Sequence, residues 1–426
     1  TAGALDVDYR NYGSAYTGQT ASPGYYSNLL TKYGIRTEVT ATPRTSAERY
    51  TFPEGTGHIL LNLGEGLTNE SGAWVRRVND TEVEGMKLLG TFCYNPQAVF
   101  PVYFVMRVSK RPAATGFWKK QPPKQGVEAE WDKDAGNYKL YTQYGKDIAG
   151  DDVGVWFSYD MQPGEQVEVR MGVSFVSAEN ARLNLEAEQQ GRSFDDIRAA
   201  ARRTWNDDLG RIRVEGGTEA QKKVFYTGLY HALIHPNVLS DVNGEYPAME
   251  SAEIRTAEGN RYTVFSLWDT YRNLHQLLTL VYPERQLEMV RSMVGMYREW
   301  GWLPKWELYG RETFTMEGDP SIPVIVDTWM KGLRDFDMDA AYEAMRKSAT
   351  TPGARNRMRP DIDPYIEKGY VPLGFYARDL SGDNSVSHAL EYYIADHALS
   401  LLADSLGKKD DAALFRARSL GYKNYY

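Results

Sequence analysis

The chain has 426 residues, of which 42% are hydrophobic and 25% are charged, a composition typical of an ordinary globular protein of about two or three domains. A net charge of −8, without a run of Lys and Arg that could form one face, excludes a nucleic-acid partner, because phosphate backbones are bound by basic surfaces. The only cysteine, Cys93, excludes an intrachain disulfide framework and a multi-cysteine metal site.

Alternating segments between Tyr33 and about Ser177 predict the first fold region. Their period of two and their β-branched and aromatic residues indicate antiparallel strands. Turn residues such as Pro-Gly separate the segments, which favours a sandwich over a parallel sheet with helical crossovers. We therefore predict an antiparallel β-sandwich domain over residues 1–179, incomplete at its N-terminus, with strands at 36–42, 58–63, 99–105 and 167–173.

The composition changes between Ser177 and about Val214 to Ala, Glu, Gln, Arg and Leu, with a strongly helical run at Ile197–Trp205. This pattern predicts a helical linker over residues 180–215. We interpret its charged residues as a solvated face.

From Thr218 onward, apolar residues recur at spacings of three and four, which predicts about seven helices. They lie near 218–235, 266–281, 284–299, 321–334, 338–348, 387–405 and 408–419. Such a run predicts helical hairpins packed as the first part of an (α/α)6 toroid over residues 216–426. We expect only about half of a toroid, whose inner apolar stripes would face water in a monomer.

The segment Phe265–Arg272 brings Trp268, Asp269 and Arg272 together at the start of a predicted helix. A pyranose ring is bound by an aromatic plate beside a carboxylate and a guanidinium, and these three residues share one stripe of the helix. We predict that they bind a sugar. The alternative is core packing, with Asp269 and Arg272 forming an i,i+3 salt bridge.

The loop that follows, Gly301–Trp306, is rich in tryptophan. Gly301 and Pro304 end the preceding helix, which leaves Trp302 and Trp306 in irregular backbone, where binding groups are often presented. We predict that both line a cavity, with core packing as the alternative.

A further candidate is Asp327, which lies in the apolar run Ile322–Trp329, because a buried carboxylate needs a partner. Just upstream, Asp319 or Ser321 is predicted to cap a helix.

Other polar residues receive structural interpretations. Glu391 and Asp396 are interpreted as hydrogen-bonding groups of a later helix. His231 and His235 are spaced i,i+4, but the interval lacks the Glu of a zincin motif, which favours packing or capping over metal binding.

Taken together, these motifs resemble glycoside hydrolase family 92, the calcium-dependent exo-acting α-mannosidases. The resemblance covers nearly the whole chain, and so many ordered matches are specific, whereas any one alone is not. They are Ala21–Tyr26, Ala41–Thr45, Phe265–Arg272, Gly301–Trp306, Met316–Gly318, Gly369–Pro372, Ser385–Ser387, Leu390–Tyr392 and Arg418–Ser419.

The resemblance implies a β-sandwich domain joined through helices to an (α/α)6 toroid. It also implies inverting hydrolysis of a terminal α-mannoside of an N-glycan or mannan, by two carboxyl groups roughly 6.5–9.5 Å apart. Calcium would contact the sugar hydroxyls. Trp268, Asp269, Arg272, Trp302 and Trp306 match motifs that line the terminal-mannose subsite.

The family's Glu-Gly-Asn, His-Glu-Pro and Gly-Asn-Asp-Asp motifs, which carry the acid and the base, do not occur in this sequence. We expect them beyond Tyr426, and we therefore name no catalytic acid, base or calcium ligand in this chain. The 426 residues alone are expected to be inactive.

The resemblance also implies a secreted or periplasmic bacterial protein. No stretch approaches the roughly twenty apolar residues of a membrane span. No signal peptide precedes Thr1, and a start on Thr indicates a processed, trimmed or partial N-terminus.

Three interpretations of function stay open. In the first, the chain is one portion of an intact α-mannosidase, whose remainder was cleaved, is disordered or lies on another chain, and the remaining part of the same polypeptide is then a partner. In the second, it is a non-catalytic carbohydrate-binding or scaffold fragment. In the third, it belongs to another toroid glycosidase or phosphorylase that acts on a different α-sugar.

Overall fold

The computed structural model of the chain describes residues 1–66, 72–90, 98–120, 138–142, 145–374 and 384–425. Cys93 and Tyr426 lie outside the described residues. The chain divides into two compact units. The sheet unit is formed mainly by Thr1–Thr91, Val99–Arg213 and Asp241–Asn243, and the helical unit mainly by Val214–Ser240 and Gly244–Tyr426.

The sheet unit is built from strands that pair antiparallel. One sheet has nine described strands in the order β1-β2-β3-β4-β13-β8-β7-β6-β11, and the other has four in the order β10-β9-β12-β5. The strands are Tyr16–Ser22 (β1), Tyr25–Leu30 (β2), Ile35–Ala41 (β3), Thr45–Thr51 (β4), Gly55–Asn62 (β5), Ala73–Arg77 (β6), Glu82–Gly90 (β7), Val99–Val108 (β8), Ala114–Lys120 (β9), Tyr138–Tyr141 (β10), Asp147–Gly150 (β11), Val153–Met161 (β12) and Gln166–Ser174 (β13).

The core of the sheet unit contains inward-facing residues from both sheets, among them Phe104 and Val169 of the larger sheet and Phe117 and Phe157 of the smaller. A shared core of this kind defines a sandwich. The predicted antiparallel sandwich is therefore confirmed, and all four predicted strands correspond to β3, β5, β8 and β13.

Two helices, Ala178–Gln189 (α1) and Phe194–Leu209 (α2), belong to the sheet unit. On α1, Ala181 and Leu185 pack against Val105 of β8. Gly172 of β13 permits this approach, because a Cβ there would lie 2.2 Å from the carbonyl oxygen of Ala181. On α2, Phe194 and Ile197 join a core cluster with Tyr25 and Ala47.

The charged residues of α1 do not form the solvated face that we predicted. Arg182 Nη2 donates to Glu82 at 2.6 Å and to Glu84 at 2.8 Å, and both carboxylates are buried on the sheet. Glu188 pairs with Arg44. For α1 the prediction was wrong because Glu82 and Glu84 are buried and need cationic partners, and Arg182 of α1 joins Arg107 and Arg76 of the sheet in binding them. The domain bounds at 179 and 215 stay a prediction.

The helical unit contains long helices and short strand pairs. Its helices are Glu219–Ala232 (α3), Leu267–Thr270 (α4), Leu274–Val281 (α5), Pro283–Trp300 (α6), Ser321–Met330 (α7), Met338–Thr350 (α8), Ile362–Lys368 (α9), Ser385–Ser405 (α10) and Lys409–Ser419 (α11), with 3-10 turns at Gly353–Arg355 and Leu420–Tyr425. Its strands are Asn237–Val238 (β14), Glu245–Pro247 (β15), Ile254–Thr256 (β16), Tyr262–Thr263 (β17), Phe265–Ser266 (β18), Trp306–Leu308 (β19) and Arg311–Glu312 (β20).

A helical unit after the sandwich is confirmed, whereas closure into a toroid stays a prediction. The continuous helix predicted over 266–281 is wrong, because the chain interrupts it at Tyr271–Asn273 to form α4 and α5. The prediction also missed α9, which has only two buried residues, Ile362 and Tyr365, and therefore a weak apolar pattern. In the described part of the chain, no helix has the length and apolar character to span a bilayer.

Candidate functional site

The short helix α4 presents the predicted sugar-binding residues. Leu267 is buried and anchors the helix, Trp268 is half-buried, and Asp269 and Arg272 are exposed. The helix therefore turns one apolar residue inward and leaves an acidic and a basic side chain in solvent.

Asp269 and Arg272 do not bind each other, so the predicted alternative of an i,i+3 salt bridge is wrong for the described residues. Ser266 Oγ donates to Asp269 Oδ2 at 2.5 Å. Arg272 donates from Nε to the carbonyl oxygen of Trp268 at 3.1 Å and from Nη2 to Glu391 Oε1 at 3.0 Å. Asp269 Oδ1 and Arg272 Nη1 have no hydrogen-bond partner among the described residues, so each can meet a ligand hydroxyl.

The ring face and the ring nitrogen of Trp268 have different surroundings. The Arg272 guanidinium lies over its ring, 4.8 Å from the centroid, so one face of the plate is covered by a cation. Its Nε1 is buried without a hydrogen-bond partner in the described part of the chain. A buried indole donor usually finds a partner, which makes this atom a place for a ligand or a water molecule.

Glu391 of α10 binds Tyr271 and Arg272, the two residues that follow α4. Tyr271 Oη donates to Glu391 Oε2 at 2.6 Å, and burial raises the pKa of this hydroxyl. Helix α10 approaches the chain closely at Gly318, whose φ is 77° and where a Cβ would lie 2.5 Å from Glu391 Cβ. Only glycine combines this backbone conformation with so close a contact.

Trp306 lies beside α4 because β18 and β19 pair antiparallel, with Ser266 opposite Trp306. The backbone of this segment is held by one buried carboxylate. Glu312 accepts N–H groups from Lys305 at 2.8 Å, Trp306 at 3.0 Å and Phe314 at 2.9 Å. Such a set fixes the main chain that carries Trp306.

Strained backbone surrounds the same strands. Four of the five described non-glycine residues with left-handed φ angles lie here: Val264 at 64°, Tyr309 at 49°, Phe314 at 56° and Met316 at 66°. This conformation is unfavourable for non-glycine residues and most of all for β-branched valine, so the surrounding structure must impose it. Such strain is concentrated at ligand sites in many proteins.

A second buried carboxylate, Glu307, supports the strained turn. Its oxygens accept from Thr263 Oγ1 and from the N–H groups of Val264 and Gly310. Full burial raises the pKa of Glu307 to about 7, although these donors oppose that rise. Since both oxygens are occupied and the group is enclosed, Glu307 is a structural residue.

A buried polar network lies beneath α4. His275 contacts Thr270 Oγ1 at 3.0 Å through Nε2 and Gln286 Oε1 at 2.9 Å through Nδ1, and Gln286 Nε2 donates to Thr328 Oγ1 at 2.9 Å. Burial lowers the pKa of His275 to about 4, so its imidazole is neutral at physiological pH. The network ties α4 to α5, α6 and α7.

Further buried charges lie behind the loop at Glu317–Asp319. His388 Nε2 is 2.7 Å from Glu317 Oε2. Asp319 accepts from Ser348 Oγ at 2.6 Å and from Arg359 Nε at 2.9 Å. The predicted cap at Asp319 or Ser321 is therefore wrong: α7 has Pro320 at its N-cap without a side-chain bond, because Asp319 is engaged by Ser348 and Arg359.

The structural interpretation of Asp396 agrees with its environment. It is fully buried and accepts from Arg359 Nη1 at 2.8 Å, Tyr365 Oη at 2.9 Å and Arg418 Nε at 2.7 Å.

Two other predicted site residues contact lysines. Trp302 is buried, and its ring faces Lys347 of α8, whose Nζ lies 4.6 Å from the ring centroid. Asp327 is half-buried and accepts from Lys331 Nζ at 2.6 Å, one helical turn away. The structure thus brings Trp268, Asp269, Arg272 and Trp306 together, while Asp327 already has its cationic partner.

The contribution of Glu391 to the site was not found from the sequence, which favoured a purely structural interpretation. Its partner Arg272 is 119 residues away, a separation that no local pattern reports. The one available signal was Gly318, because a glycine in an otherwise polar run indicates a close approach or a positive φ.

The described residues do not provide an obvious metal centre. No group of three or more His, Cys, Asp or Glu side chains among them is placed to hold a metal ion. His231 and His235 are both exposed.

Comparisons with known proteins agree with the two-part architecture. The glycosyl hydrolase family 92 N-terminal domain matches residues 1–174, and the glycosyl hydrolase family 92 catalytic domain matches residues 180–426. A sandwich followed by a helical catalytic domain is a glycoside hydrolase architecture. The chain belongs to glycosyl hydrolase family 92.

Solved relatives share the fold. The family GH92 α-mannosidase BT3965 from Bacteroides thetaiotaomicron, in complex with mannoimidazole, is 31% identical with a TM-score of 0.83, over 96% of this chain and 51% of its own. The inverting mannosidase BT2199 from the same organism is 27% identical with a TM-score of 0.85, over 100% of this chain and 55% of its own.

A curated relative is an uncharacterized secreted glycosidase from Arthroderma benhamiae, 25% identical over 95% of this chain and 49% of its own. The chain therefore spans about half the length of these relatives.

Proposed function

We propose that the protein containing this chain removes terminal α-linked mannose from glycans such as N-glycans or mannan, with inversion at the anomeric carbon. One observation carries the proposal: Asp269 and Arg272 lie beside Trp268 without neutralising each other, so that an acceptor and a donor remain for sugar hydroxyls. The similarity to the mannosidase bound to mannoimidazole supports mannose as that sugar.

In this proposal the chain binds and orients the terminal ring. Asp269 Oδ1 accepts from one hydroxyl and Arg272 Nη1 donates to another, and charged partners make these bonds stronger than neutral ones. Trp268 and Trp306 form apolar walls of the pocket. Trp302 and Asp327 keep a predicted binding role. Because they already contact Lys347 and Lys331, we expect them to contribute less to sugar binding than Trp268, Asp269 and Arg272.

Orientation of the ring is the chemical contribution of these residues. Inverting hydrolysis needs one carboxylic acid to protonate the leaving oxygen and one carboxylate to activate water on the opposite face. Neither Glu307 nor Glu312 suits these roles, because both are enclosed and bound to backbone N–H groups. We place the acid and the base in another part of the whole protein.

Calcium is part of the proposal through the family resemblance. Oxygen ligands would hold it, and it would polarise the sugar hydroxyls that it contacts. The described residues do not form a donor set of three carboxylate or histidine side chains, so none of them is assigned as its ligand. No step of the binding described above depends on the ion.

We also propose that the protein acts outside the cytoplasm. Support comes from the curated relative, which is described as secreted.

The test is an assay of the complete protein on α-mannobiose and on aryl α-glucosides, with and without a chelator. We expect mannose release that a chelator abolishes, with the β-anomer appearing first by proton NMR. Activity on glucosides alone, unaffected by the chelator, would contradict the proposal. Mannose binding without hydrolysis of either substrate would favour a non-catalytic carbohydrate-binding role.

A further inference from the structure

Glu391 uses both of its carboxylate oxygens on the two residues that follow α4. Oε1 accepts from Arg272 Nη2 at 3.0 Å, and Oε2 accepts from Tyr271 Oη at 2.6 Å. Its side chain is only 12% exposed, whereas that of Arg272 is 47% exposed. A mostly buried carboxylate thus binds an exposed guanidinium.

This ion pair fixes the direction in which the remaining donor of Arg272, Nη1, points. Nε is bound to the carbonyl oxygen of Trp268 and Nη2 to Glu391, while the planar group lies 4.8 Å from the ring centroid of Trp268. Because a guanidinium is rigid and planar, two fixed nitrogen atoms determine the position of the third. Nη1 is therefore held in one place.

Glu391 also competes with Asp269 for Arg272. On a helix, an acidic and a basic residue spaced i,i+3 are neighbours and tend to pair. Here Asp269 accepts from Ser266 instead, and Arg272 turns to α10. Gly318 fixes the place of Glu391, since its backbone approaches so closely that a Cβ would collide with the glutamate.

We propose that Glu391 is the positioning residue of the sugar site: it holds Arg272 away from Asp269, so that both side chains stay available to the hydroxyls of one terminal sugar. This inference rests on the proposed function. Glu391 acts through Arg272 and makes no bond to the sugar itself.

The helical unit supplies a matched control. Tyr342 Oη donates to Asp411 Oδ2 at 2.7 Å, and Arg346 Nε donates to the same oxygen at 2.9 Å. The exposures, 50% for Arg346 and 17% for Asp411, resemble those of Arg272 and Glu391. The hydrogen bonds and the ion pair of this second Tyr-carboxylate-Arg group join α8 to α11, so Asp411→Asn reports the structural cost of breaking such a group.

The experiment is a double-mutant cycle in the complete protein with Glu391→Gln and Arg272→Ala. Hydrolysis of α-mannobiose and binding of mannoimidazole by calorimetry are the two readouts, and denaturant unfolding checks the fold. We expect Glu391→Gln to raise KM and the Kd of mannoimidazole about tenfold with little change in kcat, because the change affects positioning. In the Arg272→Ala background the same change should have an effect of less than about twofold.

Two control variants separate the positioning of Arg272 from a general loss of structure. Asp411→Asn should change KM less than about twofold. Tyr271→Phe, which leaves the Glu391–Arg272 pair intact, should change KM less than about threefold even if Glu391→Gln proves unstable.

The outcomes separate the inference from the proposed function. Wild-type protein that neither binds mannoimidazole nor cleaves mannobiose would contradict the proposed function. Active wild-type protein in which Glu391→Gln behaves like Asp411→Asn would overturn the inference. Effects of Glu391→Gln and Arg272→Ala that multiply fully, or a Tyr271→Phe loss as large as that of Arg272→Ala, would also overturn it.

Discussion

The buried carboxylates of the sheet unit and the exposed charged residues at α4 of the helical unit differ in how completely they are paired. In the sheet unit, the buried carboxylates Glu82 and Glu84 are each bound by two arginines, among them Arg182, which joins α1 to the sheet. In the helical unit, Asp269 and Arg272 are exposed, and each keeps one polar atom without a partner among the described residues. Full pairing stabilises a fold, whereas incomplete pairing leaves groups for a ligand.

Backbone strain follows the same division. All five non-glycine residues with left-handed φ in the described part of the chain lie in the helical unit, at Glu250, Val264, Tyr309, Phe314 and Met316. Each such conformation costs on the order of 1–3 kcal/mol, so the packing around these residues must impose it. The helical unit therefore gives up some stability near α4 in order to hold particular groups in place.

The largest expected effect concerns the buried histidine beneath α4. The folded pKa of His275 is about 4, below the ordinary 6.5, so its contribution to stability is present above pH 6.5 and is lost as the pH falls toward 4. The full loss is about 3 kcal/mol. We expect the free energy of unfolding of wild-type protein to fall over this range relative to His275→Asn.

The difference between the two proteins is the quantity to measure, since Glu307 has the opposite sign. Its raised pKa of about 7 gives stability that is present below pH 4.5 and is lost as the pH rises through 7. The control is His58→Asn in the sheet unit. Burial also lowers the pKa of His58, so His58 resembles His275 in this respect. Because His58 lies on β5 of the sheet unit, His58→Asn should leave sugar binding intact. Equal pH profiles for wild type and His275→Asn would contradict the prediction.

The next effect separates binding from folding. Arg272→Ala should lower kcat/KM about 100-fold, because it removes charged hydrogen bonds to the sugar, while changing the free energy of unfolding by less than about 1 kcal/mol. Arg76, an exposed arginine paired with buried Glu84 in the sheet unit, is the control. Arg76→Ala should leave kcat/KM within about twofold. Equal losses of activity in the two variants would remove the distinction between the units.

A smaller effect is expected from the glycine behind Glu391. Gly318→Ala introduces a Cβ 2.5 Å from Glu391 Cβ at a φ of 77°, so it should displace Glu391 and lower kcat/KM about tenfold. Gly407 has a similar φ of 74° but open space around its Cβ position. Gly407→Ala should cost only the backbone strain, about 1 kcal/mol of stability, with unchanged kinetics. Identical kinetics in both variants would show that the contact with Glu391 does not matter.

The smallest effect tests the weakest of the predicted binding residues. Asp327→Asn breaks an i,i+4 ion pair with Lys331, which is worth about 0.3–0.5 kcal/mol. We expect kcat/KM to fall less than about threefold, since the carboxylate of Asp327 is bound to Lys331. A loss comparable to that of Arg272→Ala would place Asp327 in the sugar site after all.

The sequence allowed the sandwich, the succession of helices and the residues of α4 to be predicted, because periodicity and side-chain chemistry are local properties. The interruption of the helix at Tyr271–Asn273 was not predictable in this way. At this interruption Thr270 bonds to His275 and Arg272 bonds to Glu391, and the second contact spans 119 residues.

The same limit explains the other errors. The charged residues of α1 were predicted to be solvated because the buried glutamates that bind Arg182 lie on β7, far away in the sequence. The strands β18 to β20 are two or three residues long, too short for a period of two to be visible. Their positions are set by the buried carboxylates Glu307 and Glu312, whose partners could not be identified from composition.

A crystal structure of the complete protein with mannoimidazole tests the central claim most directly. We predict that the sugar ring lies within hydrogen-bond distance of Asp269 Oδ1 and Arg272 Nη1 while Glu391 still binds Arg272 Nη2. A ligand bound away from α4, or an Arg272 that pairs with Asp269 in the complex, would contradict it.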